Sequence, residues 1–412
     1  MSSMSENPPR NSFHLSQLIY DTRYRSMTIQ VVTLGLVCVG IWWLVDNLLA
    51  NLGELGIEPS FSFLSSRAGY DIGSGFGTAL MGYTSASSHL DAAFVGILNT
   101  LLVAALGIVL ATVIGVIAGV LRLSKNWLIS RLMAVYVEAF RNVPLLLWIV
   151  LIYAVLSESM PVPRDYRPNA DGVANVEMIF GAIAFTTRYV AIPGPVMGAG
   201  SGILSIIFVL SIIGAVAYRR YAKKLLFDTG RLLPMVWPAI AIAFVPSILF
   251  FFILGRPVSL DYPVIGGFNF SGGIQISNPL VALWLALSLY TGAFITEIVR
   301  AGILAVSKGQ SEASEALGMR ANRTMSLVIL PQAMRVIIPP LTSQYLNLTK
   351  NSSLAIAVGY ADVRATLGGI TLNQTGRALE CMLLLGLFYL ALSLIISFVM
   401  NIINNSMKLE ER

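Results

Sequence analysis

The polar stretch at residues 307–331 reads SKGQSEASEALGMRANRTMSLVILP and lies between two long apolar segments. Glu312 is followed six positions later by Gly318, and the stretch ends on a Leu-Pro pair. This pattern predicts a short helix with Glu312 and Glu315 in its first turn, where the helix dipole favours negative charge. Gly318 suits the left-handed conformation that ends many helices.

The predicted helix also carries a narrow apolar stripe, because Ala313, Ala316 and Leu317 share one face at helical spacing. A helix this short can bury the stripe only against another surface. That surface is either its own membrane domain or a second protein.

The spacing E-A-x4-G followed by L-P resembles the EAA coupling loop of ABC-importer permeases, which fits into a groove of the cytoplasmic ATPase. The resemblance covers most of 94–156 and 279–365, including NTLLVAALGIVLATVIGVIAGVLRLS, YVEAFRNVPLLLWIVLIYAVL and VILPQAMRVIIPPLTSQYLNLTKNSSLAIAVGYADV. These stretches are similar to the permease subunits of polar amino-acid ABC importers, the histidine-permease-like family. The resemblance implies that five residues contact the ATPase: Glu312, Ala313, Ala316, Leu317 and Gly318.

Composition separately indicates a membrane protein. The 412 residues are 56% hydrophobic and 12% charged, with a mean hydropathy of +0.75, whereas soluble domains carry about 25% charged residues. The net charge of +6 comes from basic residues at the ends of apolar runs, which is typical of cytoplasmic loops. We therefore expect a lipid membrane and no nucleic acid as partner.

The cysteines and histidines predict neither a disulfide nor a metal site. Cys38 and Cys381 lie far apart inside apolar segments, and His14 and His89 are isolated. The first apolar run follows about 26 mostly polar residues and has no cleavage site after it, so we expect it to remain as a membrane helix.

Runs that approach the roughly 20 residues needed to cross a bilayer predict an all-α polytopic membrane protein with about eight transmembrane helices. The predicted spans are 27–45, 94–121, 132–156, 203–218, 235–254, 279–303, 333–350 and 381–403. The resemblance implies a five-helix permease core made of the second, third, sixth, seventh and eighth spans. The seventh span is predicted to be broken by Pro339 and Pro340, because proline removes a helix hydrogen bond.

Five regions follow from these spans: 1–93, 94–156, 157–278, 279–405 and 406–412. Eight crossings place both termini in the cytoplasm of a bacterial inner membrane, since every strong basic cluster then lies inside. The Gly- and Ser-rich loop 46–93 is predicted to lie outside and to be loosely ordered. The long N-terminal region and the insertion 157–278 resemble the larger branch of the family, the general L-amino-acid or glutamate/glutamine/aspartate/asparagine permeases.

Charged residues inside spans are costly, at about 2.5–3.5 kcal/mol each, and mark candidate functional positions. Two spans repeat an i, i+3 pattern, Glu138 with Arg141 and Glu297 with Arg300. Each pair lies on one helix face and partly neutralises itself. Either these side chains extend to the inner interface and lock neighbouring helices, or, with the adjacent Asn142, they line a polar translocation path or gate.

Polar residues elsewhere leave the same two alternatives open. Asn99, Thr100, Tyr290 and Thr291 either contact a zwitterionic substrate or form hydrogen bonds between helices. The element Lys350-Asn351-Ser352 follows the proline-containing seventh span, and transporters build substrate sites from broken helices. The family resemblance includes this K-[ND]-[ST]-S element.

The chain contains no G-x4-G-K-[ST] phosphate loop, so we expect a transport subunit without catalytic chemistry or bound cofactor, and with ATP and Mg²⁺ held by the partner. The resemblance implies three protein partners: a cytoplasmic ATPase dimer, a second homologous permease, and a periplasmic amino-acid-binding protein. An ion-coupled secondary amino-acid transporter is the alternative, with Glu297 or Glu138 as its proton-linked group.

Overall fold

A computed structural model describes residues 22–54, 56, 59–169, 174–231 and 233–407. The chain forms two compact units, residues 1–61 and 62–412. In the described residues, seven helices are long and apolar enough to cross a membrane, or eight if a sharply bent helix pair is one span. The predicted helical polytopic membrane fold with about eight spans is thereby confirmed. Arg10 in the predicted cytoplasmic N-terminus and Lys408 in the predicted cytoplasmic tail lie outside the described residues.

The first unit contains one long helix, α1 (Thr22–Glu54). It includes the predicted span 27–45 and continues nine residues farther, into the segment expected to be a loop. Its apolar window is 0% buried within the protein.

The second unit contains the five predicted core spans, with helix ends within about five residues of the predicted ones. They are α3 (His89–Arg122), the pair α4 (Trp127–Asn142) and α5 (Leu145–Glu158), α8 (Asn278–Leu304), α11 (Leu330–Asn351) and α14 (Ala378–Ser406). Shorter helices precede or connect them: α2 (Phe76–Met81), α9 (Lys308–Ala316), α10 (Ala321–Thr324), α12 (Val363–Ala365) and α13 (Leu372–Thr375).

Helix α8 forms the centre of the core, with 61% of its apolar window buried against 33% for α3. The two helices approach closely where α3 carries glycine. A Cβ atom placed on Gly115 would lie 2.5 Å from the Cβ of Ile295, and one on Gly119 would lie 2.8 Å from the Cβ of Val299. The lack of a side chain at these two glycines therefore lets α3 and α8 pack closely.

The prediction that prolines break the seventh span is wrong, because the break in the core helices lies elsewhere. Pro339 and Pro340 lie inside the continuous helix α11, whose Ile338 is 1% exposed and packs in the main core. The sharp bend, 106°, separates α4 from α5 instead. There Val143 is extended, with φ −107° and ψ 134°, as expected for a residue that precedes proline.

The insertion 157–278 contains short strands that the sequence did not predict, together with the two helices that it did. The helices are α6 (Ser201–Thr229) and α7 (Val236–Ile253). Before and after this helix pair come β1 (Ala184–Phe185), β2 (Tyr189–Ile192), β3 (Gly194–Met197), β4 (Val258–Asp261), β5 (Val264–Gly266), β6 (Asn269–Ser271) and β7 (Ile274–Ser277).

These strands join the two flanks of the insertion. The β2 strand pairs antiparallel with β1 and β7, with Tyr189 opposite Ser277, and β3 pairs with β4. A small core of Tyr166, Ala184, Ala191 and Phe270 lies beneath them. The pairing closes the base of the α6–α7 hairpin, which is why residues distant in sequence form one structure.

The loop that precedes α3 was expected to be loosely ordered, and for residues 62–88 this was wrong. Tyr83 is 7% exposed and packs with Ala92 and Val95 of α3. Ser88 and Asp91 form a capping box at the start of α3, which satisfies two free backbone N–H groups. The apolar contacts with α3 order this polar-looking segment.

Candidate functional site

A cavity of about 350 Å³ lies where α3, α4 and α8 meet. It brings together four of the residues that the sequence singled out, Glu138, Arg141, Asn142 and Glu297. The complete lining is Arg122, Val137, Glu138, Arg141, Asn142, Phe294 and Glu297. Glu138 and Arg141 of one Glu-x-x-Arg pattern therefore face a common space with Glu297 of the other, although the two patterns are more than 150 residues apart in the chain.

Glu297 is held by two arginines. The Arg122 guanidinium donates to Glu297 Oε1, and Arg300 Nη1 lies 3.5 Å from Glu297 Oε2. The side chains of Arg122 and Glu297 are 18% and 25% exposed, so water only partly screens the pair. The sequence had indicated Arg122 only as a basic residue at the end of a span. Its position in the last turn of α3 was the one available signal.

The predicted pair of Glu138 and Arg141 does not form an ion pair in the part of the chain that the structure describes. The guanidinium carbon of Arg141 lies instead 5.0 Å from the centre of the Phe294 ring, a cation–π contact. Such stacking leaves the N–H donors of the guanidinium available at its rim. Glu138 and Arg141 are both exposed and line the cavity.

The helix break follows directly after the cavity residue Asn142. Asn142 is the last residue of α4, and α5 begins at Leu145 after the bend. The Phe140 and Trp148 rings, one on each side of the break, stack at 4.3 Å with an interplanar angle of 20°. Tyr136 Oη donates to the Leu289 carbonyl at 2.6 Å. The bend is thus supported from both sides, and the last residue of α4, Asn142, lines the cavity.

Asn99 and Thr100 lie elsewhere and are already occupied by hydrogen bonds within the protein. Asn99 Oδ1 accepts from Gly77 N at 3.0 Å, and Asn99 Nδ2 donates to the Ala361 carbonyl at 2.8 Å. Thr100 Oγ1 accepts from Val363 N at 3.1 Å. Of the two alternatives, these contacts favour a role in holding segments together.

Tyr290 and Thr291 lie on α8 above the cavity. The Tyr290 ring centre is 5.1 Å from that of Phe294, so it supports the ring on which Arg141 stacks. Thr291 is 3% exposed and does not line the cavity.

Lys350, Asn351 and Ser352 do not line the cavity either. They form the junction of α11 with a 3₁₀ helix at Ser352–Val358. Lys350 is exposed, and Ser352 Oγ donates to the Thr349 carbonyl at 2.7 Å.

The sequence missed a buried carboxyl group between the last two spans. Asp362 is 0% exposed, and its Oδ1 accepts from Ala365 N at 2.8 Å. Its Oδ2 has no hydrogen-bond partner among the described residues. Burial raises the pKa of Asp362 to about 6, against opposing contributions from backbone hydrogen bonds and Arg364. The sequence did contain one signal of this site, since Asp362 is a single acidic residue between two apolar segments.

The predicted coupling helix is α9, and its geometry corrects one expectation. It begins at Lys308 and ends at Ala316, which places Glu312 in the second turn and Glu315 next to the last residue, so neither lies in the first turn. Gly318 has φ +72°, which confirms the left-handed residue at the helix end. Leu317 is 81% exposed, and Ala313 and Ala316 are exposed. The stripe is therefore not buried against its own membrane domain.

Metal ligands do not converge in this chain: the described ranges contain no group of three or more His, Cys, Asp or Glu side chains placed to hold an ion.

Comparison with known proteins places the chain among transport proteins. The family model for the binding-protein-dependent transport system inner membrane component matches residues 224–409. The glutamate/glutamine/aspartate/asparagine transport system permease protein of Rhodobacter capsulatus is 50% identical over 99% of this chain and 100% of its own length. The general L-amino acid transport system permease protein of Rhizobium johnstonii is 44% identical over 96% of this chain and 95% of its own.

A solved crystal structure of an amino acid ABC transporter with histidines is also similar to the chain. It shares 18% identity, has a TM-score of 0.44, and covers 81% of this chain and 100% of the other.

Proposed function

The chain belongs to the permease subunits of binding-protein-dependent amino-acid ABC transporters, and on that premise we propose that it carries polar or general L-amino acids into a bacterial cell. It is a permease subunit and not an enzyme. In the proposed mechanism, ATP hydrolysis by a separate partner drives reorientation of the core helices. The single observation that supports a substrate site in this chain is the charged cavity beside the helix break.

The cavity has the size and chemistry that suit a free amino acid. Its volume of about 350 Å³ is at the lower end of the roughly 300–1,000 Å³ of small-molecule sites. Arg141 presents guanidinium donors that match a carboxylate, and Glu138 presents a carboxylate that suits an ammonium group. Glu297 is already neutralised by Arg122, so Glu138 and Arg141 are the pair available to a zwitterion.

The break between α4 and α5 contributes to the same proposal. Transporters place ends of interrupted helices at substrate sites because the unpaired backbone groups there bind charged atoms. Asn142 adds a side-chain amide at this point. A site formed at a bend also changes shape when the bend changes, which suits alternating access.

Coupling to ATP hydrolysis is proposed to occur through α9. Its exposed Leu317 with Ala313 and Ala316 forms an apolar face of the kind that inserts into a groove of another protein. An orientation with both termini in the cytoplasm places α9 there with the ATPase dimer. The complete importer would then contain this chain, a second related permease, the ATPase dimer and a periplasmic amino-acid-binding protein.

The experiment is uptake of labelled glutamate, glutamine, aspartate and asparagine into liposomes that contain the reconstituted importer with its binding protein and ATP. We expect Arg141→Gln to abolish most uptake while the complex still assembles. Arg256→Gln is the matched control, because Arg256 also lies over an aromatic ring, Phe252, at 5.8 Å but outside the cavity. Full uptake by Arg141→Gln would remove the cavity from the substrate path.

The same liposomes separate this proposal from an ion-coupled carrier. Transport that requires ATP and stops in Leu317→Asp supports the importer. Uptake driven by a proton gradient without ATP or partner subunits would support the secondary transporter. The pairing of Glu297 with Arg122 and Arg300 disfavours that alternative, since both carboxylate oxygens already have partners within the protein.

A further inference from the structure

The hairpin of α6 and α7 exposes nearly all of its apolar surface. Only 11% of the apolar window of each helix is buried, compared with 61% in α8. Its buried apolar contacts are small: Ala215 of α6 with Ala239 and Ala243 of α7. The surroundings of this hairpin in the membrane are therefore lipid or another chain over most of its surface.

Helix α6 continues well beyond the start of α7. Tyr218 Oη donates to the Pro234 carbonyl at 3.0 Å, which brings residue 218 level with the turn before α7. The rest of α6, residues 219–229, extends about 16 Å farther at 1.5 Å per residue. This extension lies beyond the apolar part of the hairpin.

The extension presents four cations on one face. Arg219, Arg220, Lys223 and Lys224 are all exposed, and their spacing places them within an arc of about 140° at 100° per residue. The other side holds Ala222, which is 0% exposed. The face is therefore a dense positive surface fixed on an ordered helix.

Nearby residues mark the membrane interface. Trp237, at the start of α7, is 78% exposed, and Tyr221 is 59% exposed. Exposed Trp and Tyr side chains next to apolar spans lie at the level of lipid headgroups. Arg231 adds a fifth exposed cation, and Asp228 is the acidic residue of this segment.

We propose that the basic face of α6, residues Arg219, Arg220, Lys223 and Lys224, binds the headgroups of anionic phospholipids. Arginine forms paired hydrogen bonds with phosphate oxygens, and lysine adds point charge. Clusters of four or more basic residues at the end of a membrane helix have the charge density that attracts anionic lipid. The aromatic residues at the same level place the headgroup, and the extension supplies a preformed surface for it.

The test is native mass spectrometry of the purified chain after exchange into mixed micelles that contain phosphatidylglycerol or phosphatidylcholine at equal concentration. We expect retained phosphatidylglycerol on the unmodified chain and at least about tenfold weaker retention in the variant R219Q/R220Q/K223Q/K224Q. R164Q/R167Q is the control, since both arginines are exposed in another part of the insertion. Its lipid retention should match that of the unmodified chain.

Measurements on the unmodified chain test the proposal without any variant. Retention of phosphatidylglycerol should fall between 0.1 and 0.5 M salt, because the attraction is electrostatic. Equal retention of the two lipids, or no effect of salt, would overturn the proposal.

The quadruple variant gives a further test. If it keeps its lipid but no longer copurifies with an ATPase, the proposal is overturned and the basic face is assigned to an acidic protein surface. None of these readouts depends on transport.

Discussion

Replacing Arg122 with Gln tests whether the ion pair at the cavity holds α3 against α8. The substitution removes the closer of the two cations on Glu297 and leaves Arg300 at 3.5 Å. Exposed ion pairs contribute about 0–1 kcal/mol, while breaking a buried pair costs about 3–5 kcal/mol. With exposures of 18% and 25%, we expect a loss of about 1–3 kcal/mol in the free energy of unfolding.

A double-mutant cycle separates the ion pair from the loss of each side chain. Arg122→Gln, Glu297→Gln and the combination are compared by thermal unfolding of the chain in one detergent. Arg122→Gln leaves Glu297 with only the more distant Arg300, and Glu297→Gln leaves Arg122 without its carboxylate. The combined loss should therefore be smaller than the sum by about 1 kcal/mol or more. Additive losses, within about 0.3–0.5 kcal/mol, would show that the two side chains do not interact.

The same variants bear on transport. The pair fixes Glu297 at the wall of the cavity, so we expect Arg122→Gln to raise the substrate concentration for half-maximal uptake. Arg122→Lys keeps the charge but not the paired donors, and it should restore part of the affinity. Uptake that is unchanged in both variants, with stability lowered in the first, would limit the pair to a structural role.

Three further outcomes follow from the described contacts. Gly115→Ala should destabilise the chain by about 1–3 kcal/mol, because the added methyl group would overpack against Ile295. Gly386→Ala is the control and should not destabilise the chain, since no atom lies within 4 Å of the added Cβ. Equal thermal midpoints of the two variants would contradict the close approach of α3 and α8. Leu317→Asp should lower copurification of the ATPase without changing insertion, and an unchanged yield of ATPase would remove Leu317 from the interface. Burial raises the pKa of Asp362 in the folded chain to about 6, above its ordinary value near 3.8. The folded state therefore binds the proton more tightly than the unfolded state, and the free energy of unfolding should rise as the pH falls from 7 to 4. Asp362→Asn should abolish this dependence and add up to about 3 kcal/mol at pH 7; identical pH profiles of the two proteins would disprove it.

Local properties of the chain made the membrane fold predictable. A span is recognised by its length and hydrophobicity, because the bilayer core requires roughly 20 apolar residues in a helix. The end of α9 was equally local, since Gly318 occupies a left-handed conformation with φ +72° that few other residues adopt. The pattern around Glu312 and the shared stretches then identified the family, which the similarity over 99% of the chain confirms.

The cavity was predictable in part. Glu138, Arg141, Asn142 and Glu297 stood out because charged or polar groups inside spans are costly. Their assembly in one space depends on how α4 and α8 pack, and no spacing within either helix carries that information. The partner of Glu297 proved to be Arg122, 175 positions away, in addition to the neighbour at i+3.

Contacts between distant segments decide the features that local sequence patterns did not predict or predicted at the wrong place, namely the helix bend and the strand pairing. Pro144 breaks its helix and Pro339 does not, because Val143 is extended while Ile338 is held in the packed core. The β2 and β7 strands pair across about 80 intervening residues, so neither flank of the insertion reveals the sheet alone. Span length and helix ends depend on each residue's own chemistry and close neighbours, whereas the bend, the ion pair and the strand register depend on which distant segments meet.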